Sequence, residues 1–372
     1  MGSSAGIAVI DLAVLAGPAT PERDRLDAGL VESLSEFGLI HIVGHGIDPA
    51  SIDQVHEHFR AFAALPPEEK APYSGPHIWH QRGWTPPATE RAVIAGGQPD
   101  FKECYFAAPL PGDPVCAEEY PEIFAPNIWP PGNPAFEHDY LAAGRALHAV
   151  GAVLLQSAAR GLGLPEATFA GFTEGAAHVT RALLYLPLTT EQIEAGALWG
   201  EEHTDFNLLT LLPGGGRFYD PDGTPCGSPD PTAGLYLRSR PTAENPAGQR
   251  VRGAAPPGAL IAQVGQQLEI LTGGRLLATP HVITAPRQPG YSRSSMAHFI
   301  HVHPLQVLRP LAPFATREAR TAYRPSVLAG TYALKTLVDI GLAPPEAVHQ
   351  LGYRHYGRLA NQRQSEIPTG RS

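Results

Sequence analysis

The order of apolar and polar positions predicts alternating strands and helices in the first part of the chain. Residues 7–12 form a short apolar run typical of a strand. Thr20 and Pro21 predict the start of a helix, because Thr caps a first turn well and Pro fits its geometry. An apolar stripe continues this helix to Gly38, and residues 39–43 then predict a second strand.

Later segments change from helical to strand-like periodicity. A helix is expected over about 50–65, an irregular connection over 73–100, and a long helix from Asn133 to Gly161. From about residue 179, short apolar segments separated by Gly- and Pro-rich turns predict an all-β barrel or jelly roll. These segments cover residues 182–186, 207–212, 235–237, 259–264, 276–279 and 296–303. Helix is expected again after Pro325.

Composition narrows the class of protein. The 372 residues suggest about two domains by length, and 43% hydrophobic residues indicate a sizeable core. A net charge of −9 argues against binding a nucleic acid backbone. The three cysteines fit neither a disulfide framework nor a CxxC metal site. Without a membrane-length apolar run or a signal peptide, we expect a cytoplasmic protein with no membrane partner.

A histidine and an aspartate near the middle of the chain are candidate metal ligands. His203 and Asp205 are two residues apart and would share one face of a strand. They would supply two parts of a 2-His-1-carboxylate triad, which holds Fe(II) and leaves open coordination positions. His281 is a candidate third ligand, because a barrel brings distant strands together. The alternative for His281 is a hydrogen-bonded core histidine.

A second pair of residues suggests an anion site. Arg293 and Ser295 would share a strand face, where a guanidinium and a hydroxyl could hold a carboxylate. The alternative is a surface arginine beside a turn. His301 and His303 would also share a face, but no carboxylate is nearby in sequence, so a second metal site is not expected there.

The order of these motifs is similar to that of a known enzyme family. His-Thr-Asp-Phe-x-Leu-Leu-Thr-Leu-Leu is followed by Pro-Gly-Ala-Leu, by Leu-Glu-Ile-Leu-Thr-Gly-Gly-Arg-Leu-Leu-Ala-Thr-Pro-His, and by Arg-x-Ser. Over residues 7–305 the chain resembles the iron(II)- and 2-oxoglutarate-dependent dioxygenases of the isopenicillin N synthase-like family. Its segment from Gly83 to Glu103 is most similar to bacterial members, including those that resemble ethylene-forming enzyme.

The resemblance implies a fold and a division of the chain. The expected fold is mixed α/β with a mainly β core, a distorted double-stranded β-helix (jelly roll, cupin-like) flanked by N- and C-terminal helices. Residues 1–372 would form a single catalytic unit. It would contain an N-terminal α/β region over 7–125, the jelly-roll core over 178–305 and C-terminal helices over 325–360.

The resemblance also implies a role for individual residues, with no catalytic residue beyond the metal centre. The implied iron ligands are His203, Asp205 and His281. The implied clamp for the co-substrate 2-oxoglutarate is Arg293, Ser295 and Tyr185. Substrate contacts are expected from Arg82, Tyr105 and Phe206.

Two departures from the family pattern affect the surroundings of the site. Gln263-Val264-Gly265-Gln266 stands where the family usually has Asn-x-Gly-Asp, so hydrogen bonding beside the metal must differ. A Pro- and Gly-rich insertion over 214–233 follows the strand expected to bear the iron ligands. It is interpreted either as a lid or pocket wall or as a plain surface loop.

The implied activity is oxidation of a C–H bond with Fe(II), 2-oxoglutarate and O₂. Hydroxylation of a small molecule of bacterial specialised metabolism is the default, with desaturation, epoxidation, cyclisation or ethylene formation as alternatives. A second hypothesis is an oxidase of the isopenicillin N synthase type that does not use 2-oxoglutarate. A third is a non-catalytic cupin-like binding protein. The expected oligomeric state is a monomer or a weak homodimer.

Overall fold

The computed structural model describes residues 6–90 and 101–348. The helices in these ranges are α1 (Leu12–Leu15), α2 (Pro21–Glu36), α3 (Pro49–Ala63), α4 (Pro67–Lys70), α5 (Pro114–Glu119), α6 (Pro134–Gly161), α7 (Ala170–Thr173), α8 (Thr190–Glu194), α9 (Gln266–Leu271), α10 (Arg317–Ala322) and α11 (Ala329–Asp339). The strands are β1 (Val9–Asp11), β2 (Leu39–Val43), β3 (Gly83–Thr85), β4 (Lys102–Ala107), β5 (Val179–Tyr185), β6 (Gly200–His203), β7 (Leu209–Pro213), β8 (Arg217–Tyr219), β9 (Pro225–Cys226), β10 (Gly234–Arg238), β11 (Arg250–Arg252), β12 (Leu260–Val264), β13 (His281–Thr284), β14 (Ser292–Ile300), β15 (Val307–Leu308) and β16 (Val327–Leu328).

Two sheets form the centre of the fold. The larger has ten strands, with β1-β2-β12-β7-β14-β5-β4-β3 as its main path and β8 and β9 attached at β14. The smaller has the order β11-β10-β13-β6. Leu183 and Tyr185 of the larger sheet share an apolar cluster with Ile283 of the smaller one, so the two sheets pack face to face. This arrangement agrees with the expected mainly β core and flanking helices.

The long helix α6 covers the larger sheet on the side away from the smaller one. It contacts α2 and α3 as well as β7 and β14, and Tyr140 and Leu147 on its inner face have no exposed surface. Its length and hydropathy alone would allow it to cross a membrane, but half of the relevant window is buried inside the fold. Its contacts are those of a core helix.

Most of the segments predicted from local sequence signals are present in the structure, whereas many short helices and strands were not predicted. The Thr20 hydroxyl accepts a hydrogen bond from the backbone of Arg23 at the start of α2, and Asn133 caps α6 in the same way. The predicted strand over 276–279 is wrong, because β13 begins only at His281. The irregular region over 73–100 contains β3, and its last ten residues lie outside the described ranges. The predicted C-terminal helices over 325–360 are described only as far as residue 348.

Residues 276–279 pack closely on a glycine of the turn between α2 and β2 instead of forming a strand. Thr279 donates a hydrogen bond from its hydroxyl to the carbonyl of Phe37, so this segment packs on the turn between α2 and β2. Gly38 in that turn has φ +62°, and a Cβ there would lie 1.8 Å from Thr279 Oγ1 and 2.2 Å from the oxygen of Leu277. Only glycine allows this contact, which fixes the chain just before His281.

Substituting Gly38→Ala should therefore destabilise the protein strongly. We expect a loss of about 3 kcal/mol or more in the free energy of unfolding, because strain at positive φ adds to a backbone clash. Gly163→Ala is the matched control, since Gly163 has φ +71° but a Cβ added there would have no neighbouring atom within 4 Å. It should lose only about 1–2 kcal/mol. Equal losses in urea unfolding of the two variants would contradict the proposed packing.

Candidate active site

Three candidate ligands meet where the smaller sheet faces the larger one. His203 ends β6, and it lies opposite His281, the first residue of β13. Asp205 lies two residues beyond the end of β6, so the expectation that it shares a strand face with His203 is wrong. The chain turns there and brings Asp205 Oδ1 to 3.8 Å from His203 Nε2. One ligand atom from each of the three side chains lies within 4.8 Å of the other two.

Backbone carbonyls orient both imidazoles. His203 Nδ1 lies 2.7 Å from the oxygen of Glu201, and His281 Nδ1 lies 3.0 Å from the oxygen of Thr279. A carbonyl can only accept, so each Nδ1 carries the proton and each Nε2 keeps its lone pair. This is the tautomer that binds a metal through Nε2.

The charge states also suit a divalent cation. Burial lowers the pKa of His203 to about 4, and the neighbouring His281 contributes to this lowering. Burial alone would raise the pKa of Asp205, but His281, His203 and a hydrogen bond from the Thr210 hydroxyl outweigh it and lower that pKa. The Thr210 oxygen lies 2.7 Å from Asp205 Oδ2. At neutral pH the site therefore offers a neutral imidazole beside a carboxylate. The donor set fits Fe(II).

A cavity of about 390 Å³ leads from the three ligands to Arg293. Arg293 and Ser295 lie on β14, with Tyr185 opposite Arg293 on β5, and all three side chains line the cavity. Arg293 Nε and Nη1 are buried without a hydrogen-bond partner. No carboxylate among the described residues forms an ion pair with this guanidinium. A buried cation with unused donors fits an anionic ligand.

The insertion over 214–233 forms a wall of this cavity. Its strand β8 pairs with β14, where Phe218 lies opposite Arg293. Gly216 has φ +64°, and a Cβ there would lie 2.7 Å from Arg293 Nε. The insertion therefore packs directly against the guanidinium, as the pocket-wall interpretation requires.

A second cavity of about 400 Å³ lies on the other side of the ligands. His203 and Asp205 line both cavities. Two of the expected substrate contacts, Arg82 and Phe206, line the second one, and α11 supplies much of its apolar wall. Tyr105 does not reach either cavity, because it is buried in an aromatic cluster and its hydroxyl donates to the carbonyl of Ile128.

A largely buried group of charged side chains beside the candidate ligands was not predicted. Glu90 forms ion pairs with Lys102, at 3.2 Å, and with Arg181. Burial would raise the pKa of Glu90, but these two cations hold it at about 2. All three residues line the second cavity. The only signal in the sequence was that Arg181 lies four residues before Tyr185, which places both side chains on the same face of β5.

Gln266, where the family usually has Asp, connects α11 to the segment 204–205 that follows β6, called the metal loop below because it contains Asp205. Its backbone N–H donates to the carbonyl of Asp205 at 2.8 Å, and its side-chain amide donates to Thr204 Oγ1 at 2.6 Å. Thr204 lies between the ligands His203 and Asp205. The Tyr332 hydroxyl donates to Gln266 Oε1. The Gln266 amide thus links Thr204 to Tyr332 of α11, a helix that also lines the second cavity.

Comparison with known proteins agrees with this geometry. Residues 7–132 match the family model described as "non-haem dioxygenase in morphine synthesis N-terminal". The chain is 24% identical over 344 residues to the 2-oxoglutarate-dependent dioxygenase phqC of Penicillium fellutanum, covering 85% of this chain and 90% of that protein. It is 27% identical over 326 residues to flavanone 3-dioxygenase 2 of Oryza sativa subsp. japonica, covering 87% and 81%.

Solved structures share the fold. A 2OG-Fe(II) oxygenase family protein from Caulobacter crescentus has a TM-score of 0.72 and 26% identity, covering 90% of this chain and 99% of that chain. The dioxygenase for auxin oxidation of rice has a TM-score of 0.63 at 20% identity, covering 92% and 99%. With a double-stranded β-helix core and these relatives, the chain is a non-haem dioxygenase of the Fe(II)- and 2-oxoglutarate-dependent class.

Gln266→Met should weaken Fe(II) binding while leaving the ligands in place. The substitution keeps the side-chain length and removes both side-chain hydrogen bonds, so we expect the Kd for Fe(II) to rise about tenfold. Anaerobic titration measures this directly. Gln249→Met, at an exposed position, is the control and should bind as the unaltered protein does. Unchanged affinity in Gln266→Met would show that the amide does not position the metal loop.

Proposed function

We propose that the enzyme holds Fe(II) with His203, Asp205 and His281 and couples the oxidative decarboxylation of 2-oxoglutarate to C–H oxidation of a small molecule. Hydroxylation is the proposed default outcome. Arg293, Ser295 and Tyr185 would hold the far carboxylate of 2-oxoglutarate. One observation supports this most directly: the three proposed ligands line a cavity that also contains a buried guanidinium without a carboxylate partner among the described residues. Two of them, His203 and Asp205, line the second cavity as well.

The protein's part in the reaction is binding, orientation and exclusion of water. Fe(II) with 2-oxoglutarate and O₂ supplies the oxidising chemistry, which yields succinate and CO₂. Asp205 would contribute negative charge to the bound ion, and the Thr210 hydroxyl donates a hydrogen bond to Oδ2 of that carboxylate. Arg293 and the wall formed by residues 214–233 fix one end of the co-substrate. The apolar face of α11 shields the C–H bond that reacts.

The second cavity is the proposed substrate site, with Arg82 and Phe206 as contacts. Phe206 directly follows the ligand Asp205, and its ring lies 5.3 Å from the ring of His301. Arg82 is buried, and two of its nitrogens donate to the carbonyls of Gln81 and Ile123. Likeness of its motifs to bacterial members supports a role in bacterial specialised metabolism. The molecule would act in the cytoplasm as a monomer or weak homodimer, without nucleic acid or membrane partners, in keeping with its net charge of −9.

Succinate release tests the proposal. With Fe(II), 2-oxoglutarate and O₂, the enzyme should release succinate slowly alone and faster when a panel of small molecules includes a substrate. Arg293→Met should raise the KM for 2-oxoglutarate about 100-fold or more, because a carboxylate would lose its buried cationic partner.

Arg287→Met is the control for that variant, because 80% of the Arg287 side chain is exposed. Its KM for 2-oxoglutarate should equal that of the unaltered enzyme. Oxidation of a small molecule with no succinate formed would contradict the use of 2-oxoglutarate. An unchanged KM in Arg293→Met would contradict the assignment of the clamp.

A further inference from the structure

A second group of metal-ligating side chains lies away from the iron ligands. Asp113 and Cys116 come from the start of α5, and His303 comes from the segment after β14. His303 Nε2 lies 3.4 Å from Cys116 Sγ and 3.1 Å from Asp113 Oδ2. The three ligand atoms all lie within 4.8 Å of one another. No second metal site was expected at His303, because no carboxylate is nearby in sequence; Asp113 lies 190 positions earlier in the chain.

Backbone hydrogen bonds hold the three residues in place. The N–H of Asp113 donates to the carbonyl of Gly175 at 2.9 Å, and the N–H of His303 donates to the carbonyl of Phe172 at 2.7 Å. Cys116 has no exposed surface and lies in an apolar cluster. The ligand atoms are therefore positioned by the fold before any ion binds.

The arrangement does not fit a catalytic triad. In a triad the base contacts the nucleophile through one ring nitrogen and the carboxylate through the other. Here Cys116 and Asp113 both contact Nε2 of His303. Burial of Cys116 also raises the pKa of its thiol to about 11, which disfavours a free thiolate nucleophile. Three donor atoms that converge on one point are instead the arrangement of a metal site.

We propose that Asp113, Cys116 and His303 bind a thiophilic divalent cation of the Zn²⁺ type. Tetrahedral zinc with ordinary bond lengths places its sulfur and nitrogen ligands about 3.5 Å apart and its nitrogen and oxygen ligands about 3.3 Å apart. The observed separations of 3.4 and 3.1 Å are close to these values. One thiolate and one carboxylate neutralise the dication, which suits the apolar surroundings of Cys116.

The site is accessible to an ion, and binding requires a change in the tautomer of His303. About a third of the Asp113 side chain is exposed, so an ion can enter from that side, and a water can complete the coordination. Metal on Nε2 requires the proton of His303 on Nδ1. In the structure the backbone N–H of Leu305 donates to Nδ1 at 3.3 Å, so the proton lies on Nε2. Binding would move this proton to Nδ1 and would break that long hydrogen bond.

The bound ion would connect α5 to the segment that follows the central strand β14. Cys116 shares its apolar cluster with Ile123 and with Leu334 and Leu337 of α11. Ile123 and Leu337 also line the second cavity. A metal at this position would therefore stabilise the outer wall of the proposed substrate site.

Anaerobic titration of the reduced full-length protein with Co²⁺ tests the site independently of catalysis. Thiolate ligation of Co²⁺ gives a charge-transfer band in the near ultraviolet, and the iron ligands contain no sulfur. We expect the band of one thiolate-bound Co²⁺ per chain at saturation in the unaltered protein, its loss in Cys116→Ser, and its persistence in Cys226→Ser and in His203→Ala. No band in the unaltered protein at saturating Co²⁺ would overturn the proposal. So would a band that survives in Cys116→Ser.

Discussion

Antiparallel pairing of β6 with β13 is the constraint on which the candidate active site depends. It places His203 opposite His281, and it leaves each Nδ1 beside a carbonyl two residues earlier in the chain. Those two hydrogen bonds select the tautomer, and the turn beyond β6 then brings in Asp205 as the carboxylate. The pairing is short, and its register shifts between His281 and Ile283. The contact of Gly38 with Thr279 anchors the chain two residues before His281.

Charged side chains line the two cavities beside this pairing. On one side, Arg293 lies below the wall formed by residues 214–233 and has donors without partners. On the other side, the positive charges of Lys102 and Arg181 are partly balanced by Glu90. The net charge of −9 of the whole chain therefore coexists with cationic walls in both cavities. Placing the three cations Lys102, Arg181 and Arg293 on strands, rather than on exposed loops, holds them rigidly relative to the candidate ligands.

Sequence could predict the elements whose signals are local. Caps at Thr20 and Asn133 located two helices, and the order of motifs identified the candidate ligands. It could not predict where β6 ends, because that depends on pairing with β13. For this reason the expectation that His203 and Asp205 share one face of a strand was wrong.

Long-range contacts were the other limit. Cys116 and His303 are separated by 187 positions, and nothing in the spacing of either indicates the other. The sequence around Tyr105 likewise does not show its long-range contacts. The resemblance implied that Tyr105 contacts the substrate, but the residue is buried in the aromatic core. Gln266 was identified only as a departure from the family pattern. Its side-chain hydrogen bonds to Thr204 and to Tyr332 of α11 could not be predicted, because they depend on how distant parts of the chain pack together.

The most direct test of this account is the affinity of the apoprotein for Fe(II), measured by anaerobic calorimetry. The account predicts one tight equivalent in the unaltered protein, its loss in His203→Ala, and its full retention when the exposed His77 is replaced in His77→Ala. Equal Fe(II) affinity in the unaltered protein and in His203→Ala would contradict the assignment of the ligands and the central role of the β6–β13 pairing.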